Sequence, residues 1–296
     1  MSRLRGALYI LAATLCWSTS GLFVRSVTAD PWTIVFWRSL ALGLALALFI
    51  GLRHGRRAPA RFRAIGWAGL FSALLVAASF IFFILAIDLT LIANALVIMS
   101  SAPLISAVLG RVVLGERLKP ATLAAIGAAV CGIAVMVWDQ GSGDGGEIQA
   151  ATLLGSLFAF GVAVTFGINI VVVRAARHID MLPAMSLAGL FAAIAALGFG
   201  APTTIGAIDV TVLVAMGCVQ LALGLFLFVR GAPHLTSAEV GLLTLAEVVV
   251  APIWVWLAFA ETPGPSTLAG GGIVVVALAA HSALGIRRSK PPVGMA

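Results

Sequence analysis

The segment GERLKPATLAAIG, from Gly115 to Gly127, recurs 145 residues later as AETPGPSTLAGGG, from Ala260 to Gly272. Six of the 13 positions are identical: Glu116/Glu261, Pro120/Pro265, Thr122/Thr267, Leu123/Leu268, Ala124/Ala269 and Gly127/Gly272. A self-match at a fixed distance indicates a chain built from repeated units. We therefore expect two related halves.

The composition indicates a membrane protein. Hydrophobic residues make up 61% of the chain and charged residues 10%, with a mean hydropathy of +1.14. Soluble domains are about 45–50% apolar and about 25% charged. Apolar segments of about twenty residues cross a hydrocarbon core as helices. We predict an all-α membrane protein with ten transmembrane helices at 6–24, 31–50, 64–87, 90–114, 119–138, 150–173, 181–200, 207–229, 236–259 and 266–286.

The basic residues predict the orientation. Of the 18 Lys and Arg residues, 16 fall on one side of the ten-span arrangement, and only Arg25 and Arg38 do not. Because basic loops stay in the cytoplasm, both termini are expected there, in a bacterial inner membrane. The high pI of 10.6 follows from this topology. No soluble face interleaves basic and aromatic residues, so we predict no nucleic-acid partner.

An odd number of spans in each half predicts two inverted five-helix repeats. The halves are expected at 1–138 and 150–296, joined by an external linker at 139–149. Fainter matches support the pairing of Gly6 with Gly155, Trp17 with Phe166 and Leu89-Thr90 with Leu235-Thr236. Inverted repeats are typical of secondary transporters, whose substrate site lies near the membrane midplane between the halves.

Sequence patterns for other chemistry are weak. The chain has no P-loop, and the glycines at 141–146 that fit a dinucleotide pattern follow a helix in a predicted external loop. The three cysteines lie far apart in different spans, which suits neither a metal site nor a disulfide framework. Neither paired intramembrane aspartates nor a Ser–His pair at helix depth is evident. We predict no enzyme activity, no cofactor and no metal.

Several short motifs occur in an order that is similar to a known family. They are Cys16-Trp17-Ser18, Phe36-Trp37-Arg38, Ala102-Pro103 followed by Leu114-Gly115-Glu116-Arg117, Leu245-Ala246-Glu247-Val248 and Ala260-Glu261. Over its whole length the chain resembles the ten-helix, EamA-type branch of the drug/metabolite transporter superfamily. Ser18 replaces a common glycine, and a proline usual after the helix-9 glutamate is displaced to Pro252. The resemblance implies a central cavity surrounded by helices 1–4 and 6–9, and outward movement of amino acids, amphipathic amines or other metabolites.

Polar and aromatic residues at helix depth are the candidate site, because polar groups in a bilayer tend to face protein or a cavity. The expected substrate-cavity residues are Trp17, Arg38, Asn94, Phe166, Asn169, Gln220, Glu239 and Glu247. Arg38, whose insertion costs about 2.5–3.5 kcal/mol, either faces the cavity or extends to the outer surface along its stem. Asn169 and Gln220 either line the cavity or hydrogen-bond between helices, and the two aromatic rings either form its walls or simply pack.

The carboxylates carry separate hypotheses. Glu247 is the deepest and is the candidate for proton coupling, although a purely structural role is equally consistent with its position. Glu239 and its repeat mate Asn94 are expected near opposite mouths, as gates or as solvated interface residues.

The sequence thus predicts a secondary transporter that exports amino acids or related metabolites by alternating access. Its expected partners are the small solute, the lipid bilayer and protons as a candidate coupling ion, in a monomer or a homodimer. Two alternatives stay open: a proton-coupled exporter of cationic drugs, and a structural membrane protein without transport.

Overall fold

The described part of the chain is a bundle of helices without strands. The computed structural model describes residues 3–90, 95, 98–99, 101–116, 120–138, 146–200, 205–259, 269, 272–273 and 276–277. The α-helices are α1 Arg3–Ser18, α2 Ser20–Arg25, α3 Pro31–His54, α4 Ala58–Ala64, α5 Gly66–Leu89, α6 Ala102–Leu114, α7 Pro120–Trp138, α8 Gly146–Ala175, α9 Leu182–Leu197, α10 Ala207–Ala215, α11 Leu223–Gly231, α12 Ser237–Thr244 and α13 Ala246–Phe259. A π-helical segment, Met216–Ala222, joins α10 to α11.

Local sequence fixes several helix ends. The Asp30 carboxylate accepts hydrogen bonds from the backbone N–H groups of Trp32 and Thr33 at 3.0 Å, and Pro31 occupies the first helical position of α3. Gly115 ends α6 with φ at +65°, a conformation that glycine adopts without a side-chain clash. These caps satisfy backbone groups that a helix terminus leaves unpaired.

Four helical stretches in the described residues are long and apolar enough to cross a membrane: Pro31–Ala64, Gly66–Leu89, Leu153–Ala175 and Ala207–His234. Large apolar side chains such as Leu52, Trp67 and Ile208 cover the exterior, whereas Arg38, Asn169 and Gln220 are buried. An apolar exterior around a partly polar interior is the arrangement that a bilayer favours.

The structure differs from the predicted spans mainly at interruptions. Span 1 breaks at Thr19, between α1 and α2, and span 9 breaks at Leu245, between α12 and α13. Span 8 contains the π-helical segment. The loop predicted between spans 2 and 3 holds the short helix α4, and α8 begins at Gly146, within the predicted linker. Most of the predicted span 10 lies outside the described residues, so the count of ten stays a prediction.

The helices pack against one another in a set of close pairs. The closest pairings are α3 with α9, α5 with α8 and with α9, and α1 with α11. Further pairings join α6 to α8 and to α12, α1 to α12 and to α13, and α3 to α10 and to the π-helical segment. Small residues permit the α3–α9 crossing: a methyl group added at Gly189 would lie 2.7 Å from the backbone N of Gly43.

One end of the bundle, which we call the basic end, is tied together by ion pairs and close backbone contacts. Arg3 pairs with Glu239, and Arg174 pairs with Glu116. A methyl group at Gly231 would lie 2.8 Å from the carbonyl oxygen of Gly6, so α1 and the end of α11 touch through their backbones. These contacts join α1, α8, α11 and α12 at this end.

Candidate functional site

A cavity of about 140 Å³ lies at the centre of the bundle. Its lining residues come from α1, α2, α3, α5, α6, α8, the π-helical segment, α11, α12 and α13, with no contribution from the described residues of α7 or α9. An apolar cavity of about 150 Å³ in another protein holds a benzene ring. This space therefore suits a small organic group.

The cavity lies where helices are interrupted. Trp17 and Ser20 flank the break at Thr19, Ala102 follows the turn at Ser101, and Glu247 follows the break at Leu245. Gln220 belongs to the π-helical segment. Discontinuous helices at the midplane are how many transporters build a site, because irregular backbone is tolerated there only beside a cavity or inside protein.

Hydroxyl side chains stabilise three of these interruptions. Ser18 donates to the Leu15 carbonyl and Thr19 to the Cys16 carbonyl, both at 2.7 Å. In the same i to i−3 pattern, Ser101 donates to Ile98 at 2.7 Å and Thr244 to Gly241 at 2.8 Å. Such bonds compete with the helical ladder and bend helices. The hydroxyls thereby satisfy carbonyls near breaks where water is scarce.

Ser18, one of the two departures from the pattern described above, has a second contact. Its Oγ accepts a hydrogen bond of 2.8 Å from the indole Nε1 of Trp254. This bond joins α13 to the end of α1 beside the cavity. A glycine at position 18 could not accept it.

Aromatic rings form much of the wall. Trp17 meets Phe166 edge to face, with ring centroids 5.8 Å apart, and Phe228 lies 5.7 Å from Trp17 and 5.6 Å from Phe166. Phe80 and Phe83 line the cavity from α5. Sequence analysis missed these last two, because phenylalanines three residues apart on an apolar helix carry no signal that separates them from lipid-facing ones.

Arg38 is the cation of the cavity. Only 1% of the residue surface is exposed, so its side chain does not extend to the outer surface. Its Nη2 donates to the Phe80 carbonyl at 2.7 Å, and its guanidinium carbon lies 5.5 Å and 5.7 Å from the Phe80 and Phe83 ring centroids. Its Nε is buried without a hydrogen-bond partner in the described part of the chain. A buried donor without a partner costs about 1–3 kcal/mol, and a bound acceptor would remove that cost.

Glu247 lines the same cavity from the first turn of α13. Among the described residues, Arg38 and Glu247 form no ion pair with each other or with a third group. One cavity is therefore lined by a guanidinium and a carboxyl group that form no ion pair with each other.

Gln220 is 3% exposed and lines the cavity beside these groups. Its Nε2 donates to the Trp17 carbonyl at 3.0 Å, while its Oε1 has no partner in the described part of the chain. The side chain thus both joins the π-helical segment to α1 and leaves an acceptor free.

Three of the eight expected residues are not found on the cavity: two lie elsewhere in the bundle, and one is outside the described residues. Asn169 does not line the cavity; its Oδ1 accepts a 2.6 Å hydrogen bond from Ser72, which is the interhelical alternative. Glu239 lies at the basic end, where it pairs with Arg3 and completes a capping box with Thr236. Its burial in this ion pair and cap differs from the solvated interface role. Asn94 lies outside the described residues.

These features define the class: a multi-pass α-helical membrane protein with a central, mostly apolar cavity that is lined by an arginine and a glutamate. The sequence profile of the EamA-like transporter family matches the chain over residues 4–138 and 153–282. The chain therefore belongs to the EamA-like transporter family. Members of this family are membrane transporters of small solutes and not enzymes.

A solved structure described only as a crystal structure of a protein is similar in fold. Its TM-score is 0.81 at 20% sequence identity, and the alignment covers 98% of this chain and 100% of the other. At this identity the likeness concerns the fold alone. No curated protein matches the sequence.

Proposed function

We propose that the protein is a secondary transporter that exports small organic solutes, amino acids or related metabolites, across a bacterial inner membrane by alternating access. The observation that carries the substrate class is the cavity with Arg38 and Glu247, which form no ion pair with each other. A zwitterion places a carboxylate on the guanidinium and an ammonium group on the carboxylate. Its apolar side chain then contacts Trp17 and Phe166.

The helix pairings support two inverted halves. When the two predicted halves are exchanged, α5 corresponds to the span made of α10, the π-helical segment and α11, and α8 corresponds to α1. The α5–α8 pair therefore becomes the packing of α1 against α11 and the π-helical segment. The same exchange turns α6–α8 into the packing of α1 against α12 and α13, and α5–α9 into that of α3 against α10 and the π-helical segment. The pairs α3–α9 and α6–α12 map onto themselves. A two-fold axis in the membrane plane produces this pattern.

A pair of glycine contacts supports the same symmetry. A methyl group at Gly6 would lie 2.9 Å from His234 Cβ and 3.6 Å from Leu235 Cγ. A methyl group at Gly155, the repeat mate of Gly6, would lie 2.9 Å from Thr90 Cβ. The two turns that receive these glycines were paired in the repeat, so equivalent helices meet equivalent turns at opposite ends. Two such units can exchange conformations and so alternate which mouth is open.

The test is reconstitution in liposomes without ATP. A panel of labelled amino acids and organic amines is supplied with and without an imposed pH gradient. We expect saturable exchange of at least one amino acid, lost in Arg38→Gln. A panel in which only amines move would favour the second candidate, and a panel in which nothing moves would contradict transport of these classes.

The second candidate is a proton-coupled exporter of cationic compounds. Glu247 favours it, because a carboxylate beside aromatic rings can bind an amphipathic cation. The two candidates differ at Arg38: a zwitterion needs the guanidinium, whereas a cation is repelled by it. Arg38→Gln should therefore abolish amino acid transport but leave, or improve, transport of a cationic amine.

The non-transporting alternative is tested by water access. In a background without the three native cysteines, a cysteine replacing Trp17 should react with a hydrophilic thiol reagent. A cysteine replacing Asn169 should not, since Asn169 is fully buried away from the cavity. Equal protection at both positions would indicate a filled core.

A further inference from the structure

We infer that Gln220 is a specificity-determining residue: its free Oε1 selects solutes that carry an N–H or O–H donor on the carbon next to their carboxylate. The inference rests on the proposed transport function and narrows its substrate class to 2-amino and 2-hydroxy carboxylates.

The orientation of the Gln220 amide follows from its partner. A backbone carbonyl can only accept a hydrogen bond, so the group that lies 3.0 Å from the Trp17 oxygen must be the NH₂. The Oε1 is consequently the atom that remains free. It is buried and has no hydrogen-bond partner in the residues that the structure describes.

A buried amide oxygen without a partner is costly, because it has lost its bonds to water. Gln220 lines the cavity, and we infer that a bound solute supplies the donor that this buried oxygen lacks. A solute that supplies a donor satisfies the oxygen. A solute of the same shape without a donor leaves it unpaired.

Among the described residues that line the cavity, Arg38 carries the other buried atom without a partner, its Nε, which is a donor. The π-helical segment packs on Arg38 itself: a methyl group at Gly217 would overlap the Arg38 carbonyl oxygen. Gln220 lies three residues further along that segment. A free donor and a free acceptor on adjoining elements match a solute in which a carboxylate and a donor are attached to the same carbon.

The π-helical backbone gives Gln220 this position. Each α-helical residue advances by about 100°, so the wider turn of Met216–Ala222 changes the face on which the following side chains lie. Short π-helical segments occur often at functional sites. The segment therefore supplies a physical reason why a glutamine of an apolar span faces the cavity and not lipid.

The experiment uses the reconstituted full chain and the amino acid that the transport panel identifies. Three unlabelled competitors differ only at C2, bearing an amine, a hydroxyl or a hydrogen; for leucine these are leucine, 2-hydroxy-4-methylpentanoate and 4-methylpentanoate. In the unmodified protein the hydroxy acid should compete roughly ten-fold better than the acid without a donor, the effect of one buried hydrogen bond. Equal competition by these two would overturn the inference while transport itself stands. A panel without any carried solute would instead overturn the proposed function.

Variants separate Gln220 from Glu247. In Gln220→Leu, or in the unbranched Gln220→Met if the leucine variant does not fold, the hydroxyl preference should fall to within about two-fold. Glu247→Gln should keep the hydroxyl preference and reduce only the advantage of the amine. Asn169→Leu is the matched control, a buried amide off the cavity, and should keep all ratios. A hydroxyl preference that survives in both Gln220 variants would contradict the assignment.

Discussion

The indole of Trp17 meets the ring of Phe166 edge to face, with centroids 5.8 Å apart and planes inclined at 79°. The two residues are 149 positions apart and occupy matching places in the two proposed repeats. Residues that a two-fold axis exchanges can touch only close to that axis. The contact therefore places the proposed axis through the wall of the cavity, where residues of both proposed halves meet.

The position of the Trp17 indole can be tested by a substitution on α11, the helix that packs against α1. A methyl group at Gly224 would overlap Nε1 of Trp17, whereas a methyl group at Gly51 would meet nothing within 4 Å. Gly224→Ala should displace the indole and reduce transport at least ten-fold with the protein still folded. Gly51→Ala should leave transport unchanged and stabilise α3 by about 0.5–1 kcal/mol. Initial rates in liposomes and thermal unfolding in detergent measure both, and equal transport by the two variants would contradict the wall assignment.

Arg38 should be required for transport and not for folding. Its charge is buried without a carboxylate partner among the described residues, and apolar replacement of buried charges is often neutral or stabilising. Arg38→Met should keep or raise the unfolding temperature while carboxylate-bearing solutes are no longer carried. Arg38→Lys keeps the charge but lacks the planar fork, so a partial loss is expected. A large fall in the unfolding temperature of Arg38→Met would indicate a structural role.

Glu247 is the residue through which we expect proton coupling. Its carboxylate lines the cavity without an ion pair in the described part of the chain. Glu247→Gln should lose accumulation driven by a pH gradient and retain downhill exchange. Glu239→Gln is the control: it loses the Arg3 ion pair and weakens a helix cap, which should cost about 0.5–2 kcal/mol of stability. Coupling should persist there. Full pH-driven accumulation by Glu247→Gln would assign the coupling elsewhere.

Glu116 should hold the basic end closed. Its Oε1 pairs with Arg174, and its Oε2 accepts a 3.0 Å bond from the Ser237 backbone N–H. Loss of such charge-assisted bonds costs about 1.5–3 kcal/mol each, so Glu116→Gln should raise the labelling rate of a cysteine at Ser106 roughly ten-fold. Ser106 is fully buried behind this contact. Arg111→Gln, an exposed change on the same helix, should leave the rate unchanged. Identical rates in both variants would show that the ion pair does not gate this end.

The topology has its own measurement. Reporter fusions should place both termini in the cytoplasm and the linker at 139–147 outside, because the basic residues lie almost entirely on one side. A cytoplasmic linker would contradict the inverted arrangement.

Local features of the sequence determine the helices of this protein and its division into two halves. Apolar segments of the length of a membrane predict helices whatever their neighbours do, and the repeat at Gly115–Gly127 predicts two halves before any contact is known. The family follows from the same sequence. Arg38 and Glu247 were recognisable because a charge at helix depth is conspicuous in an apolar chain.

The cavity itself was decided by tertiary packing. Asn169 and Gln220 are both polar amides in apolar spans, yet one bonds to Ser72 away from the cavity and the other lines the cavity. Phe80 and Phe83 became wall residues because α5 turns them toward Arg38. A helical pattern gives the relative angle of side chains on one element, but the face that meets protein, cavity or lipid depends on neighbours distant in sequence. Those faces shift again at the breaks at Thr19 and Leu245 and in the π-helical segment. A regular period of 3.6 residues per turn does not predict these interruptions.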